Sequence, residues 1–569
     1  MNNIPASMLS APEKTILSFP NIEASKFIKL IADCTLDNVS LNLNTSPQNF
    51  VAGLKPANYV NVGIVLADPA TRLWKAFCAF KSDPSFQQSF GEFYRDKNRI
   101  ELYYRTFKNM PIEKIGFVGI YEAFYHSILL SEQWHLSQLT RIQYGHLLQS
   151  EFAYNNGDTL NKLLGEETLS EIRELYANDY MIYSEAKRVF NKRWERYSKR
   201  AAMNVHEGKQ IYVHVGPPKT GTSALQSWLN RSTQSLEKLG IFYPPHKIDK
   251  NGVSSGNFEN FVTFAEDGKG FFDDDKATAI INKFNESNFR TLLISSEHFF
   301  YYLLWFFSRL PSSKYIFYIR HPISSLESGF HQEVKRHGRT ADFSVPQKIT
   351  FTNLSIISNL ARAFGVDIVY RYYGDKSFEG GSLYSDFSCC FEEFIPPPKL
   401  EKRLNTQYSA GALQLMRFAN TFAEKWLLRE LDFFLQKESE NRENFSLLSS
   451  SDVAELKHAL KESAMKVLSA EKNLDENKFN ALLASFDHLP FYNESETVKD
   501  LKFVLDRLKN KRLDLALALN KQISHKAHDI DDSRLYKIIR SHTAPSAYEY
   551  YKNKLNEILP KLLRRLKNK

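Results

Sequence analysis

The sequence predicts an α/β protein built on a parallel sheet, with a second α/β region before it and a helical region after it. Three observations carry this. Through the middle of the chain, short apolar strand patterns alternate with longer helical ones. One strand pattern, IYVHV from Ile211, runs straight into a Gly/Pro/Thr-rich turn and a helix pattern, GPPKTGTSALQSWLN, ending at Asn230. From about Glu424 onward, Leu, Lys and Glu dominate in a nearly unbroken helical pattern. At 569 residues the chain exceeds what one compact core usually takes, so two or three domains are expected.

In chain order, residues 1–195 read as a first α/β domain. Within it VNVGIVLADP (Val60–Pro69) reads as a buried strand ending at a turn, and Glu167–Arg200 as one long charged helix. The polar stretch 196–208 lacks a core pattern and is expected to be a linker. A β-loop-α unit opens the next domain, 209–430, whose further strand candidates are Arg290–Glu297, Lys314–Pro322 and Val366–Gly374. Residues 431–569 are expected to form a helical extension.

Composition narrows the function classes. Hydrophobic content of 43% and aromatic content of 14% support packed domains over disorder. The net charge of +9 suits an anionic ligand, but no dense Lys/Arg run interleaves with aromatics, so no nucleic-acid partner is expected. Cys34, Cys78, Cys389 and Cys390 have no metal-ligand spacing, so no metal is expected and a reducing compartment is the natural setting. The amino terminus shows no basic start followed by an apolar run, and FFYYLLWFF (Phe299–Phe307) is only nine residues long, short of a membrane span. The expected location is therefore cytoplasmic. The tail LPKLLRRLKNK gathers Lys561, Arg564, Arg565, Lys567 and Lys569. A solvated helix end is its ordinary reading, and peripheral contact with a membrane surface the alternative.

The loop after IYVHV holds the chemistry. Gly216, Gly221 and Ser223 match the spacing of an ATP-binding P-loop, but Thr222 stands where its lysine belongs and the lysine sits three residues earlier, at Lys219. A Gly-rich turn feeding a helix start presents free N–H groups at the positive end of the helix dipole. Thr220, Thr222 and Ser223 add hydroxyls, and Lys219 adds a full charge. The alternatives are a tight structural turn and a kinase with a variant P-loop. A kinase needs the lysine directly before Ser/Thr and carboxylates for Mg²⁺. The strand ends offer Glu297 and Arg320 but no aspartate of that kind.

PKTGTSALQ resembles the 5′-phosphosulfate loop of sulfotransferases that use 3′-phosphoadenosine 5′-phosphosulfate (PAPS), in which a lysine follows proline as Lys219 follows Pro218. YIRHPISSLESGFHQEVKRHG resembles the family's second motif, an arginine at a strand end and a serine eight residues on, here Arg320 and Ser328. LLISSEHFF resembles the strand between them, and FEGGSLYSDF (Phe378–Phe387) a later segment of bacterial carbohydrate-type members. The resemblance covers about 207–430. It implies a P-loop-like three-layer sandwich with a parallel central sheet, the sulfotransferase fold. It also implies PAPS as donor co-substrate, bound by Pro218, Lys219, Thr220, Gly221, Thr222, Ser223, Arg320 and Ser328, without a metal.

Lys219 would neutralise charge on the bridging oxygen and Glu297 would serve as base, with His298 as the runner-up. By two-residue alternation His298 should point away from Glu297. His214, inside the first strand, is expected in the core or behind the site. His331 and Lys335 follow Ser328 on its helix; a solvated helix face is their ordinary reading, an anionic acceptor the alternative. The implied acceptor is a carbohydrate or glycolipid hydroxyl or amine, and surface-polysaccharide synthesis in bacteria is suggested by analogy alone. A non-catalytic scaffold that binds PAP, the desulfated product of PAPS, stays open beside the enzyme.

A weaker likeness lies upstream. VGIVLADPATRLWKAF resembles the 3′-phosphate segment, with Ala67 and Lys75 where arginine and serine belong. LSFPNIEASKFIKLI resembles the 5′ loop, with Asn21 for the lysine and Glu23 where an anion would sit. FVGIYEAFYHSILL and ELYANDYMIYSEAKRVF resemble later helices of Golgi-type glycan sulfotransferases. A glutamate in such a loop repels the ligand. The expectation is a degenerate sulfotransferase-like domain that lost PAPS and either binds acceptor or steadies its neighbour; chance similarity of an unrelated α/β domain is the alternative.

Overall fold

The computed structural model describes residues 14–17, 39–42, 62–135, 158–247, 254–398, 407–525 and 534–544, apart from short gaps at 82, 84, 267–269, 440–441, 443 and 487–488. The upstream loop with Asn21 and Glu23, Cys34, and the basic tail from Lys561 on lie outside the described residues. The expected α/β class is observed. The chain forms two compact units, one of residues 1–218, 226–317 and 352–370, the other of 219–225, 318–351 and 371–569.

The first unit begins with a parallel sheet of β1 (Lys14–Leu17), β2 (Val39–Asn42), β3 (Val62–Leu66) and β4 (Phe117–Ile120), in the order β2-β1-β3-β4. β3 and β4 are buried along their whole length, as unbroken apolar runs dictate for parallel strands. Helix α1 (Pro69–Lys81) follows β3. The Asp68 carboxylate accepts the Ala70 and Thr71 N–H groups at 2.9 and 3.3 Å, so this helix start is capped by its own chain. Ala67 is the first residue after β3 and Lys75 lies within α1. The expected single charged helix is two, α2 (Asp158–Leu175) and α3 (Ala177–Ala201). They part at Tyr176, whose hydroxyl is drawn inward to the Tyr94 carbonyl at 2.7 Å. α3 continues through residues 196–201 of the stretch expected as a linker. Arg309 receives it there, donating to the Tyr197 hydroxyl at 3.0 Å and accepting the Met203 N–H at 2.7 Å.

A second, five-stranded parallel sheet is formed by β5 (Gln210–His214), β6 (Ile241–Phe242), β9 (Thr291–Ser295), β10 (Lys314–Arg320) and β11 (Asp367–Tyr373), in the order β11-β10-β5-β9-β6. Two short strands, β7 (Val262–Phe264) and β8 (Gly270–Phe272), pair antiparallel apart from it. Because β5, β9 and β10 are adjacent and parallel, their carboxyl ends fall on one edge. The intervening helices are α4 (Thr222–Arg231), α5 (Asp274–Glu286), α6 (Leu303–Arg309), α7 (Pro322–Arg336) and α8 (Thr352–Phe364). The run Phe299–Phe307 is core except for partly exposed Tyr301: Phe299 and Phe306 meet at 4.6 Å, with Phe261 and Phe272 against Phe306.

The second unit is mainly helical: α7, α9 (Leu383–Ser388), α10 (Ala410–Ala419), α11 (Lys425–Ser439), α12 (Ser450–Ala470), α13 (Glu476–Ala484), α14 (Glu494–Lys511), α15 (Leu513–His525) and α16 (Arg534–Thr543). Phe330 and Val334 of α7 pack into a core with Leu413, Leu431, Leu505 and Leu519. Capping boxes at Ser449/Asp452 and Asn493/Glu496 start α12 and α14. α10 and α14 touch backbone to backbone at Gly411, where a Cβ would lie 2.3 Å from the Leu501 nitrogen. Among the described residues no helix is long and apolar enough to cross a membrane.

Candidate functional site

The loop is built from the strand outward. β5 buries Ile211, Tyr212, Val213 and His214, which fixes where the turn begins. Gly216 has φ 85° and lies flat on the turn after β9; a Cβ there would come within 3.1 Å of the Glu297 Cα. Lys219 has φ 75°, a left-handed conformation that a side chain disfavours. Gly221 has the same φ of 75°, and a Cβ on it would strike Leu383 at 2.3 Å and Tyr373 at 3.2 Å. The start of α9 and the end of β11 therefore close on the loop. Thr220 and Thr222 are buried, while Pro218, Lys219 and Ser223 are half-exposed. α4 opens at Thr222 with its N–H groups toward the turn.

Arg320 ends β10 and turns to this loop. Its guanidinium donates to the Lys219 carbonyl and, through Nε and Nη2, to Ser324 Oγ at 3.1 and 2.8 Å. It also lies over the Tyr373 ring at 5.3 Å. Burial pushes its pKa down from the usual arginine range. Ser328 is the seventh residue of α7 and partly exposed. Nothing in the expected motifs marks Ser324, four residues after Arg320, or Tyr373. The serine was visible in RHPISS as the residue one helical turn along; Tyr373 is brought in only by sheet pairing. In FEGGSLYSDF the residue that matters structurally is Asp386, 1% exposed. It accepts from the Tyr318 hydroxyl at 2.8 Å, Arg371 Nε at 3.0 Å and the Glu379 N–H at 2.8 Å.

The Glu297–His298 pair departs from expectation. β9 stops at Ser295, and Ser296 caps a 3₁₀ turn, Glu297–Tyr302, accepting the His298 N–H at 3.1 Å. Strand alternation therefore does not apply to His298. Its Nε2 lies 4.0 Å from Glu297 Oε1, with the side chains 23% and 27% exposed. His298 rests on the Phe258 ring at 4.9 Å. His214 is a core residue: its Nδ1 meets Ser295 Oγ at 2.8 Å, and burial pushes its pKa down to about 3.

His331 and Lys335 do not form a solvated face. His331 is 5% exposed, wedged by Phe445 with ring centroids 5.6 Å apart, and Lys335 Nζ lies over the Tyr408 ring at 4.3 Å. α7 turns this side inward because Phe330 and Val334 beside them enter the core. No His/Cys/Asp/Glu group suited to a metal occurs among the described residues. No protein-family model, curated protein or solved structure matches the chain.

Proposed function

We propose that the chain is a PAPS-dependent sulfotransferase that moves a sulfuryl group to a hydroxyl or amine of a glycan or glycolipid. The observation that carries this reading is the link between Arg320 and the backbone of Lys219. A strained lysine in an anion loop and an arginine fork at the next strand end are tied together, which suits one ligand with two separate anions better than a triphosphate chain. The residues present fit the donor: Gly221 leaves room only for bare backbone, and the α4 N-terminus and Lys219 offer donors to a phosphosulfate.

PAPS supplies the activated sulfuryl group when bound. Lys219 then neutralises negative charge at the oxygen that bridges sulfur and phosphorus. Arg320, with Ser324 and Ser328, holds the 3′-phosphate and so fixes the donor's register. Glu297 takes the proton of the acceptor hydroxyl, with His298 beside it as the second candidate. The acceptor oxygen forms a bond to sulfur as the sulfur–oxygen bond to the nucleotide breaks, leaving PAP and a sulfated product.

Thermal shift and calorimetry with PAP and ATP–Mg²⁺, together with transfer of labelled sulfate from PAPS, test the reading. PAP should stabilise the chain and ATP–Mg²⁺ should not. Stabilisation by ATP–Mg²⁺ alone points to a kinase and sinks the proposal. Glu297→Gln should lower turnover by about 10²–10⁴-fold while keeping PAP affinity. Full activity in Lys219→Ala would show that the reactive loop lies elsewhere.

A further inference from the structure

Helix α11 (Lys425–Ser439) is apolar on two sides. Its inner side is ordinary: Leu427, Leu431 and Leu435 are fully buried in the core of the second unit. Its outer side holds two large aromatic rings, Trp426 at 47% and Phe433 at 46% exposure. They stand seven residues apart, so they fall almost in line, about 10 Å apart along the axis. Lys425, Arg429 and Lys437 are exposed as well. At about 100° per residue, these five positions share an arc of about 120°.

The acids of the helix are drawn away from that arc. Glu430, at its border, lies 4.0 Å from Arg429 and 3.5 Å from Arg512. Asp432 is buried against Arg336 and the Tyr408 hydroxyl. Glu438 meets Arg507 and Lys511 at 2.7 and 2.6 Å. Glu424, just before the helix, accepts the Trp426 indole N–H at 2.7 Å. That bond satisfies the ring's one polar atom and leaves its apolar part at the surface. Lys425 and Lys437 make no ion pair among the described residues.

This pairing of rings and cations matches an anionic bilayer surface. Aromatic rings settle at the boundary of headgroups and acyl chains, and Lys and Arg are attracted to acidic headgroups. A second copy of the chain fits worse, because a two-fold contact on this arc would set the same cations against each other. We propose that the outer face of α11 docks the chain on an anionic lipid bilayer, with Trp426 and Phe433 inserted and Lys425, Arg429 and Lys437 among the acidic headgroups. The contact is peripheral and reversible, since two rings bury far less apolar area than a spanning helix. It depends neither on the donor chemistry nor on the basic tail from Lys561 on.

The test is partition of the full chain into vesicles of equal parts phosphatidylglycerol and phosphatidylcholine, read by sedimentation and tryptophan emission. Binding is expected at low salt, is weakened by added salt and is absent with phosphatidylcholine alone. Lipids brominated in the acyl chain should quench the bound wild type, and Trp426→Phe should bind but lose that quenching. Trp426→Ala with Phe433→Ala should weaken partition about tenfold or more, as should Lys425→Glu with Lys437→Glu. The melting temperature should hold in each variant, since the four side chains are exposed. Failure of the wild type to bind anionic vesicles overturns the proposal. So does unchanged binding by both double variants, which would place the contact elsewhere, in the tail for instance. Binding without quenching by brominated lipid also overturns it, because the rings then do not insert. Self-association of the wild type that the Trp426→Ala, Phe433→Ala variant loses, without vesicle binding, would make the face an interface between copies instead.

Discussion

At the scale of single residues, two positions dominate the site. Arg320 makes its hydrogen bonds with a rigid fork, to Ser324 and to the Lys219 carbonyl at once. Arg320→Lys keeps the charge but cannot make both, so PAP affinity should fall by about tenfold or more, and Arg320→Ala should cost roughly 3 kcal/mol, read by calorimetry. Gly221 is the second. Its φ of 75° and the approach of Leu383 and Tyr373 exclude a side chain. Gly221→Ala should destabilise the chain by about 1–2 kcal/mol from backbone strain alone, visible as a lower denaturant midpoint, and weaken PAP binding as well.

At the scale of elements, buried pairings join helices that sequence treats separately. α1 and α3 are tied by Arg72 and Asp179, 2.9 Å apart and almost wholly buried, with the Arg72 guanidinium over Tyr103 at 4.3 Å. Asp179→Ala strands a buried cation and should cost about 3–5 kcal/mol, while replacing both partners by apolar residues should cost much less. The strands were legible because buried parallel strands are written as unbroken apolar runs, as in VGIVL, TLLIS and KYIFYIR. The loop was legible because glycines and a misplaced lysine stand out there. What was not legible came from elsewhere in the chain. α7 carries no sign that Gln407 and Phe445 will bury His331, and no periodicity announces that Ser296 will cap a turn and swing His298 beside Glu297.

At the scale of the whole molecule, the two β-loop-α starts can be compared. After β3 the helix start is filled by the chain's own Asp68 carboxylate, and Ala67, just past the strand, offers no charge, whereas β10 ends in Arg320. One PAP per chain is therefore expected by calorimetry; two would overturn the idea that the upstream region lost its ligand. Stability should also depend on acid. His126, His214, His321 and His331 are each pushed down, mainly by burial, to about 4, 3, 4 and 3. Unfolded, each titrates at about 6.5, so the unfolded chain binds more protons below that pH. The stability they contribute is complete above about 6.5 and is lost as pH falls toward about 3–4, at about 1.4 kcal/mol per pH unit for each histidine. The melting temperature should drop between about pH 7 and about pH 5, and less so in His331→Asn.

The bond from Arg320 to the Lys219 carbonyl has a thermodynamic corollary. Whatever pulls the guanidinium onto a phosphate also moves, or releases, the peptide that sets the lysine's backbone. On the proposed reading the two anion positions would then be cooperative in the strict sense: filling either would change the affinity of the other by the same factor. Nucleotides lacking the 3′-phosphate should lose more, or less, binding free energy than that group's contacts alone supply. A double-mutant cycle between Arg320 and Lys219, with PAP and with adenosine 5′-phosphate, would measure that coupling as the departure from additivity.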